Sequence, residues 1–179
     1  MQISTERLVL RFIELSDLEP VHELHSLPET DQFNALGIPE DITVTRSIIE
    51  SWIAATKLPE IENYTFVIEH KSNKAFIGLF GLKLGTKKYQ RGEVWFKIHK
   101  NHWKRGYATE ALKAVIRFGF ETLHLHRIEA GCAVDNIGSI SVLEKAGMIR
   151  EGRARKILPL KSGWADNFGY SILETDKRP

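Results

Sequence analysis

The sequence contains one cysteine, Cys132, and no apolar run that approaches the roughly 18 residues of a membrane-spanning helix. A lone cysteine excludes an internal disulfide and favours a reducing compartment. The opening MQISTERLVLR carries charges at Glu6, Arg7 and Arg11, where a signal peptide has an apolar core. These absences predict a cytoplasmic protein with no membrane partner.

An excess of charge of either sign is missing as well. Lysine and arginine number 25 against 23 aspartate and glutamate residues, which leaves a formal charge of +2. Domains that bind a nucleic-acid backbone are usually strongly basic. The balance therefore predicts no direct nucleic-acid partner.

The signature motifs of several enzyme classes are absent. The chain has no G-x-x-x-x-G-K-[ST] loop, no G-x-G-x-x-G turn and no G-x-S-x-G elbow. This argues against Walker-type NTPases, Rossmann dinucleotide enzymes and α/β-hydrolases. Three pairs of histidines, at 22 and 25, 99 and 102, and 124 and 126, lack cysteine or carboxylate ligands at metal-binding spacing. We expect no metal site.

The length of 179 residues and the even composition predict one domain, spanning 1–179. Alternating or continuous apolar runs predict strands over 5–12, 65–69, 75–83, 93–98, 127–133, 152–158 and 167–173. Helical periodicity predicts a short helix after a capping box at Ser16 and Glu19, and further helices over 44–55, from 108 onward, and over 139–146. This order predicts an α+β fold with a mixed, mostly antiparallel sheet.

The segment from 93 to 112 has the pattern most typical of a ligand site. A strand and a basic connection with Lys104 and Arg105 lead through Gly106 into the strongest helix. The first N–H groups of a helix have no partner within it, so helix starts bind phosphate. Gly106 has no Cβ to block the approach, and Ala108 is small. The segment predicts a pyrophosphate-bearing cofactor; the alternative is an ordinary strand-to-helix turn with two solvated cations.

Five segments, in the right order over nearly the whole chain, resemble the GNAT superfamily of acyl-CoA-dependent N-acetyltransferases. WKRGYA at 103–108 resembles its pyrophosphate loop, Q/R-x-x-G-x-G/A. The other segments resemble the RimJ/RimL branch, which contains the ribosomal-protein-alanine acetyltransferases. They are TERLVLR at 5–11, GYATEAL at 106–112, DN at 135–136 with Ser139 and VLEKAGM at 142–148, and GWAD at 163–166 with YSIL at 170–173.

The resemblance implies a GNAT-like fold, with helices on both faces of the sheet, and acetyl-CoA as the acyl donor. Strand 93–98 is expected to splay from strand 127–133 and leave a V-shaped slot for the pantetheine arm. The implied cofactor contacts are main-chain groups of Phe96, Lys97 and Ile98 with that arm, N–H groups of Lys104, Arg105, Gly106, Tyr107, Ala108 and Thr109 with the pyrophosphate, Asn136 with the pantetheine side, and Ser139 near the thioester sulfur.

The sequence departs from the family pattern at four positions. Trp103 stands at the Q/R position, so a side-chain contact is lost, and Lys104 stands where the branch often has glycine. Leu143 replaces the tyrosine that, in many members, protonates the leaving thiolate. Met148 replaces a phenylalanine, which is a tolerable apolar exchange. We therefore expect main-chain binding of the pyrophosphate to persist and the tyrosine acid to be absent.

The family mechanism is direct attack of a neutral amine on acetyl-CoA without an acyl-enzyme. Glu93 aligns with a carboxylate often found at this strand start and is the candidate general base; a solvated charge at a strand end is the alternative. Ser139 either assists the leaving thiolate or caps helix 139–146. Asp166 either attracts a cationic substrate or is a turn aspartate. Cys132 is predicted to be a small core residue.

The predicted acceptor is the α-amine of a protein or peptide. Its pKa of about 7.7–8.0 leaves it partly neutral near pH 7.5, whereas deprotonating a lysine-like amine costs roughly 4 kcal/mol there. A polyamine, amino acid or aminoglycoside is the alternative acceptor, and a non-catalytic acyl-CoA-binding module is the alternative class. Candidate acceptor walls are residues 29–42, 57–63 and 84–92. A monomer and a homodimer are both compatible with the sequence.

Overall fold

A computed structural model describes residues 1–177 and places their strands in one eight-stranded sheet. The strands are β1 (Gln2–Ser4), β2 (Leu8–Phe12), β3 (Asn63–His70), β4 (Phe76–Leu84), β5 (Arg91–Ile98), β6 (Arg127–Ala133), β7 (Ile149–Leu160) and β8 (Gly163–Leu173). Their order is β1-β2-β3-β4-β5-β6-β8-β7, and only β5 and β6 are parallel neighbours. The mixed, mostly antiparallel sheet is confirmed.

Helices cover both faces of this sheet, as expected. They are α1 (Leu18–Ser26), α2 (Pro28–Asp31), α3 (Ile42–Ala55), α4 (Tyr107–Glu121) and α5 (Ile137–Lys145). Leu112 of α4 packs into the core on the face that carries Phe80 of β4. Leu24 of α1 and Ile49 of α3 pack with Leu79 on the opposite face. Since successive strand residues point to opposite faces, β4 is buried on both sides at the centre of the sheet.

The two central strands separate along their length. β5 pairs with β6 from Arg91 and Arg127 up to Val94 and Ala130. Beyond that point β5 continues to Ile98 along β4, whereas β6 continues to Ala133 along β8. The facing edges of β5 and β6 therefore have no strand partner after this point, and the predicted V-shaped splay is confirmed.

Several element boundaries differ from the sequence prediction. Residues 5–7 form a bend between β1 and β2, closed by a hydrogen bond from the Thr5 amide to the Leu8 carbonyl at 3.0 Å. The strand predicted over 5–12 therefore begins only at Leu8, and the short strand β1 before it was not predicted. β7 runs beyond both ends of the predicted 152–158, because its pairing with β8 absorbs two register shifts.

The predicted capping box at Ser16 and Glu19 is wrong. The box is formed by Glu14 and Asp17 around a short 3-10 turn, and the Glu14 amide donates to Asp17 Oδ2 at 2.8 Å. The short helix α2 was not predicted; Pro28 at its first position suits a helix start. None of the helices in residues 1–177 combines the length and apolarity needed to cross a bilayer.

Candidate active site

The connection from β5 to α4 contains a row of main-chain N–H groups without acceptors among the described residues. Gly106 is the N-cap of α4 and has φ +80°, and Lys104 is also left-handed, with φ +60°. Within residues 1–177, no protein acceptor takes a hydrogen bond from any of the six amides between Lys104 and Thr109. The first helical amide with such a bond is that of Glu110, which donates to the Gly106 carbonyl at 3.0 Å. The turn that was predicted to bind pyrophosphate thus contains consecutive donors that are unpaired within residues 1–177.

Trp103, at the position of the missing Q/R side chain, has a structural role. Its indole Nε1 donates to the Ile98 carbonyl at 2.7 Å, while the side chain stays 46% exposed. This bond ties the start of the loop to the end of β5. It also occupies one of the main-chain groups that the family pattern implied for pantetheine, so Phe96 and Lys97 are the freer positions on that edge.

The side chain of Lys97 points away from the splay. Strand alternation places it with Glu93 and Trp95, on the face covered by α1 and α3. Burial lowers the pKa of Lys97 to about 8, although the charge of Asp31 opposes that shift. Any part that Lys97 plays at the splayed edge therefore belongs to its main chain.

A cavity of about 320 Å³ lies on this same face of the sheet and contains Glu93 in its wall. Trp52 of α3 and Trp95 of β5 form one side, with ring centroids 5.7 Å apart. Tyr64 of β3 also borders the cavity, but its ring packs on the opposite face of the sheet, against Phe118 of α4. Of the three segments predicted as acceptor walls, only Asn63 lines this cavity. The wall formed by the two tryptophans was missed because they are far apart in sequence and each resembles a core residue.

Glu93 is exposed and lies one residue before Val94, the last residue of β5 that pairs with β6. It is opposite Lys83 on β4 and Glu129 on β6. Glu129 accepts a hydrogen bond from Arg127 Nε at 2.8 Å, whereas Glu93 has no hydrogen bond or ion pair among the described residues. Glu93 is thus the carboxylate at the cavity with both oxygens available.

Asn136 and Ser139 lie together at the start of α5, beside the splayed end of β6. Asn136 is the N-cap, and its Oδ1 accepts a hydrogen bond from the Ser139 amide at 3.1 Å. The reading of Ser139 as the cap of a helix over 139–146 is therefore wrong, because α5 starts at Ile137. The Asn136 Nδ2 group and the Ser139 hydroxyl have no protein partner within residues 1–177, so both side chains retain hydrogen-bonding capacity.

Three further candidates have structural roles. Leu143 is 1% exposed and offers no acid. Cys132 lies in the core, where burial raises the pKa of its thiol to about 11. A hydrogen bond from the Lys156 amide and an ion pair with Arg153 lower the pKa of Asp166. Asp166 therefore fixes the β7–β8 hairpin.

The profile of the acetyltransferase (GNAT) domain family matches residues 7–149, which include the splay, the loop before α4 and α5. This chain belongs to that family and is an acyltransferase. The residues matched carry the free amides and Glu93 described above.

The chain is similar along its length to two N-acetyltransferases of Bacillus subtilis (strain 168). It is 32% identical to uncharacterized N-acetyltransferase YnaD over 178 residues, which cover 98% of this chain and 99% of that protein. It is 37% identical to probable N-acetyltransferase YjcK over 174 residues, covering 94% and 95%. The crystal structure of a GNAT-family acetyltransferase from Bacillus anthracis shares the fold, with a TM-score of 0.85, 29% identity, and coverage of 98% and 100%.

Proposed function

We propose that this acetyltransferase transfers the acetyl group of acetyl-CoA to the α-amine at the N-terminus of a protein or peptide, as RimJ/RimL enzymes do. The observation that carries the proposal is the arrangement around the splay. Unpaired amides lie before α4 on one side, and an unpaired carboxylate in a cavity wall lies on the other. An acyl donor held at the amides would extend between β5 and β6 toward Glu93.

The loop before α4 fits the pyrophosphate of acetyl-CoA. Its six free N–H groups suit an anion, Lys104 and Arg105 add positive charge, and Gly106 leaves its main chain open. Phe96 and Lys97 would pair with the pantetheine arm as an added strand. Asn136 would donate to that arm through Nδ2. When bound, acetyl-CoA would supply an activated carbonyl, and these contacts would orient it.

Glu93 would accept the proton that the attacking amine loses. An α-amine with a pKa of about 7.7–8.0 is already partly neutral near neutral pH, so one unpaired carboxylate suffices. Ser139 would donate a hydrogen bond to the departing thiolate, because Leu143 offers no acid. The [ribosomal protein uS5]-alanine N-acetyltransferase of Escherichia coli (strain K12) supports an α-amine acceptor, with 26% identity over 119 residues, 66% of this chain.

A small-molecule amine is the second candidate acceptor. The tryptophan pair, Trp52 and Trp95, beside Glu93 suits a compact cationic or apolar amine. L-amino acid N-acetyltransferase AaaT of Escherichia coli (strain K12) is 24% identical over 169 residues. Spermidine N-acetyltransferase from Vibrio cholerae, solved with CoA and spermine, shares the fold with a TM-score of 0.83.

We also propose that residues 1–179 act as one acetyltransferase domain in the cytoplasm. One continuous sheet runs through the described residues, which supports a single domain. The buried, unpaired Cys132 fits a reducing compartment.

The proposed function is tested by measuring thiol release from acetyl-CoA with a panel of acceptors. The panel contains peptides with a free N-terminus, the same peptides blocked at that end, a polyamine and free amino acids. We expect release above background with the free peptides and none with the blocked ones. If thiol is released only with a polyamine or an amino acid, the acceptor is a small-molecule amine and not the α-amine of a peptide. Acetyl-CoA binding without release across the panel would contradict the proposed reaction.

A further inference from the structure

One side chain outside the predicted site, that of Arg7, contacts both ends of the turn around Gly106. Arg7 lies in the bend before β2. Its Nη1 donates to the Arg105 carbonyl at 3.0 Å, and its Nε donates to Glu110 Oε2 at 2.7 Å. Its guanidinium also lies over the Tyr107 ring, 4.7 Å from the centroid. Arg7 therefore links the loop to the first turn of α4 and to the start of β2.

Glu110 holds Arg7 in this position. Its Oε2 is 2.6 Å from Arg7 Nη2, and its Oε1 accepts hydrogen bonds from the Arg7 amide at 2.9 Å and from Thr5 Oγ1 at 2.5 Å. Burial alone would raise the pKa of Glu110, but the hydrogen bonds from Thr5 and Arg7 outweigh it and lower that pKa. Glu110 stays ionised, so the pair persists through the neutral range.

The bond from Arg7 to the Arg105 carbonyl orients the next amide. In a planar trans peptide the carbonyl and the following N–H point in opposite directions. With the Arg105 carbonyl turned toward Arg7, the Gly106 N–H points to the other side of the chain. Glycine has wide backbone freedom, and Gly106 has no side chain to restrict it. Its φ of +80° therefore depends on contacts made by its neighbours.

We propose that Arg7, held by Glu110, is a positioning residue that presets the amides of this loop for the pyrophosphate of acetyl-CoA. The inference rests on the proposed function, in which the loop binds that group. Ordering a loop before its ligand arrives reduces the entropy lost on binding. Removal of Arg7 should thus weaken binding of the pyrophosphate and leave the chemistry at the thioester unchanged.

The test compares Arg7→Gln with wild type using two donors, acetyl-CoA and S-acetylpantetheine, which has no pyrophosphate. We expect the KM for acetyl-CoA to rise about tenfold with kcat unchanged, a rise equivalent to about one lost hydrogen bond. The kcat/KM for S-acetylpantetheine should not change. An Arg7→Gln enzyme with the wild-type KM for acetyl-CoA, or with equal losses for both donors, would overturn the positioning role.

Glu110→Gln separates positioning from simple charge attraction. This variant keeps the Arg7 charge and removes a negative charge near the loop. Attraction alone predicts tighter acetyl-CoA binding, whereas loss of the Arg7 anchor predicts weaker binding. If the double variant of Arg7 and Glu110 binds acetyl-CoA no more weakly than either single variant, the two residues act as one unit. Tighter binding by Glu110→Gln would overturn the proposal.

Arg11→Gln is the matched control for loss of an arginine network on β2. Arg11 donates to Glu69 Oε1 and to Asp17 Oδ2, both at 2.8 Å, and touches no residue of the loop. We expect a lower Tm with the wild-type preference between donors, and a shift in donor preference equal to that of Arg7→Gln would overturn the positioning role. A wild-type enzyme that uses both donors equally would instead overturn the pyrophosphate site, and with it this inference, while the proposed acetyl transfer would be judged by the acceptor panel.

Discussion

Lys83 and Glu93 lie directly opposite each other on β4 and β5 and border the same cavity. Oppositely charged cross-strand neighbours often pair, but these two side chains form no ion pair in the structure. From the family resemblance, the sequence analysis predicted that Glu93 is the general base. The alternative was that Glu93 is a solvated charge at a strand end. The position of Glu93 in the cavity wall supports the proposal that it is the base. Its exposure to solvent is what the alternative predicted.

The Glu93→Gln enzyme should lose kcat most strongly at low pH. Glutamine cannot accept the proton, and at low pH a larger share of the acceptor amine must be deprotonated on the enzyme. We expect a loss of about 100-fold below pH 7 that shrinks toward pH 9, in line with general-base effects. The measurement is a pH–rate profile with a peptide acceptor.

Glu129→Gln is the control for removing a carboxylate at this place in the sheet. Glu129 faces Glu93 across β5 and β6 but is already bonded to Arg127. The Glu129→Gln enzyme should therefore keep the wild-type pH–rate profile. If the Glu93→Gln profile also matched wild type, Glu93 would have no part in proton transfer.

The start of α5 shows how a boundary error of two residues changes the role of a side chain. Sequence periodicity put the helix start at Ser139, where serine would be a good cap. The structure starts α5 at Ile137, with Asn136 as the cap. Ser139 then lies in the first turn, and its hydroxyl is not used for capping. Caps depend on φ and ψ at single residues, which apolar periodicity does not report.

Asn136→Ala should therefore lower stability and Ser139→Ala should not. Loss of an N-cap costs about 1 kcal/mol, which lowers Tm by about 2–4 °C in a domain of this size. Thermal unfolding of the two variants measures the difference. Ser139→Ala should lower kcat while keeping the wild-type Tm. A lower Tm with full activity in Ser139→Ala would show that the Ser139 hydroxyl contributes to stability and not to the reaction.

The packing of α1 and α3 on the sheet buries His25 between elements that are distant in sequence. His25 is 4% exposed, its Nε2 has no hydrogen-bond partner in the structure, and its ring meets Trp52 edge-on. Burial, and then the charges of Lys97 and His22, lower the pKa of His25 to about 4. The fold therefore keeps this histidine neutral at pH values where the unfolded chain protonates it.

Stability should fall as the pH drops from 6.5 to about 4, because the unfolded state binds a proton to His25 there and the folded state does not. The loss attributable to His25 is at most about 3 kcal/mol. His25→Phe removes the titrating group and the unpaired nitrogen. It should match or exceed wild type at pH 7.5 in urea unfolding and should lose less stability on acidification. Equal losses in both proteins would exclude His25 as the cause.

Much of the fold was accessible from local patterns. Helix α4 has apolar residues at helical spacing, and β4 has a continuous apolar run, so both were predicted close to their observed positions. The bend at Thr5 and the irregular pairing of β7 were not predicted. The pairing of β7 is set by β8, and the bend, although closed by the local Thr5–Leu8 hydrogen bond, is also held from α4 by Glu110, which accepts from Thr5 Oγ1. A residue's own neighbours do not specify such contacts.

The amino-acid order alone determined the element types, the glycine turn before α4, the main-chain donors there and the family resemblance, because each depends on residues close together in the chain. Three-dimensional packing decided the rest. It brought Trp52 and Trp95 to Glu93, set Arg7 against Arg105 and Glu110, and kept His25 neutral. Such contacts arise between segments tens of residues apart, and their geometry follows from the register of the strands and the docking of helices on the sheet.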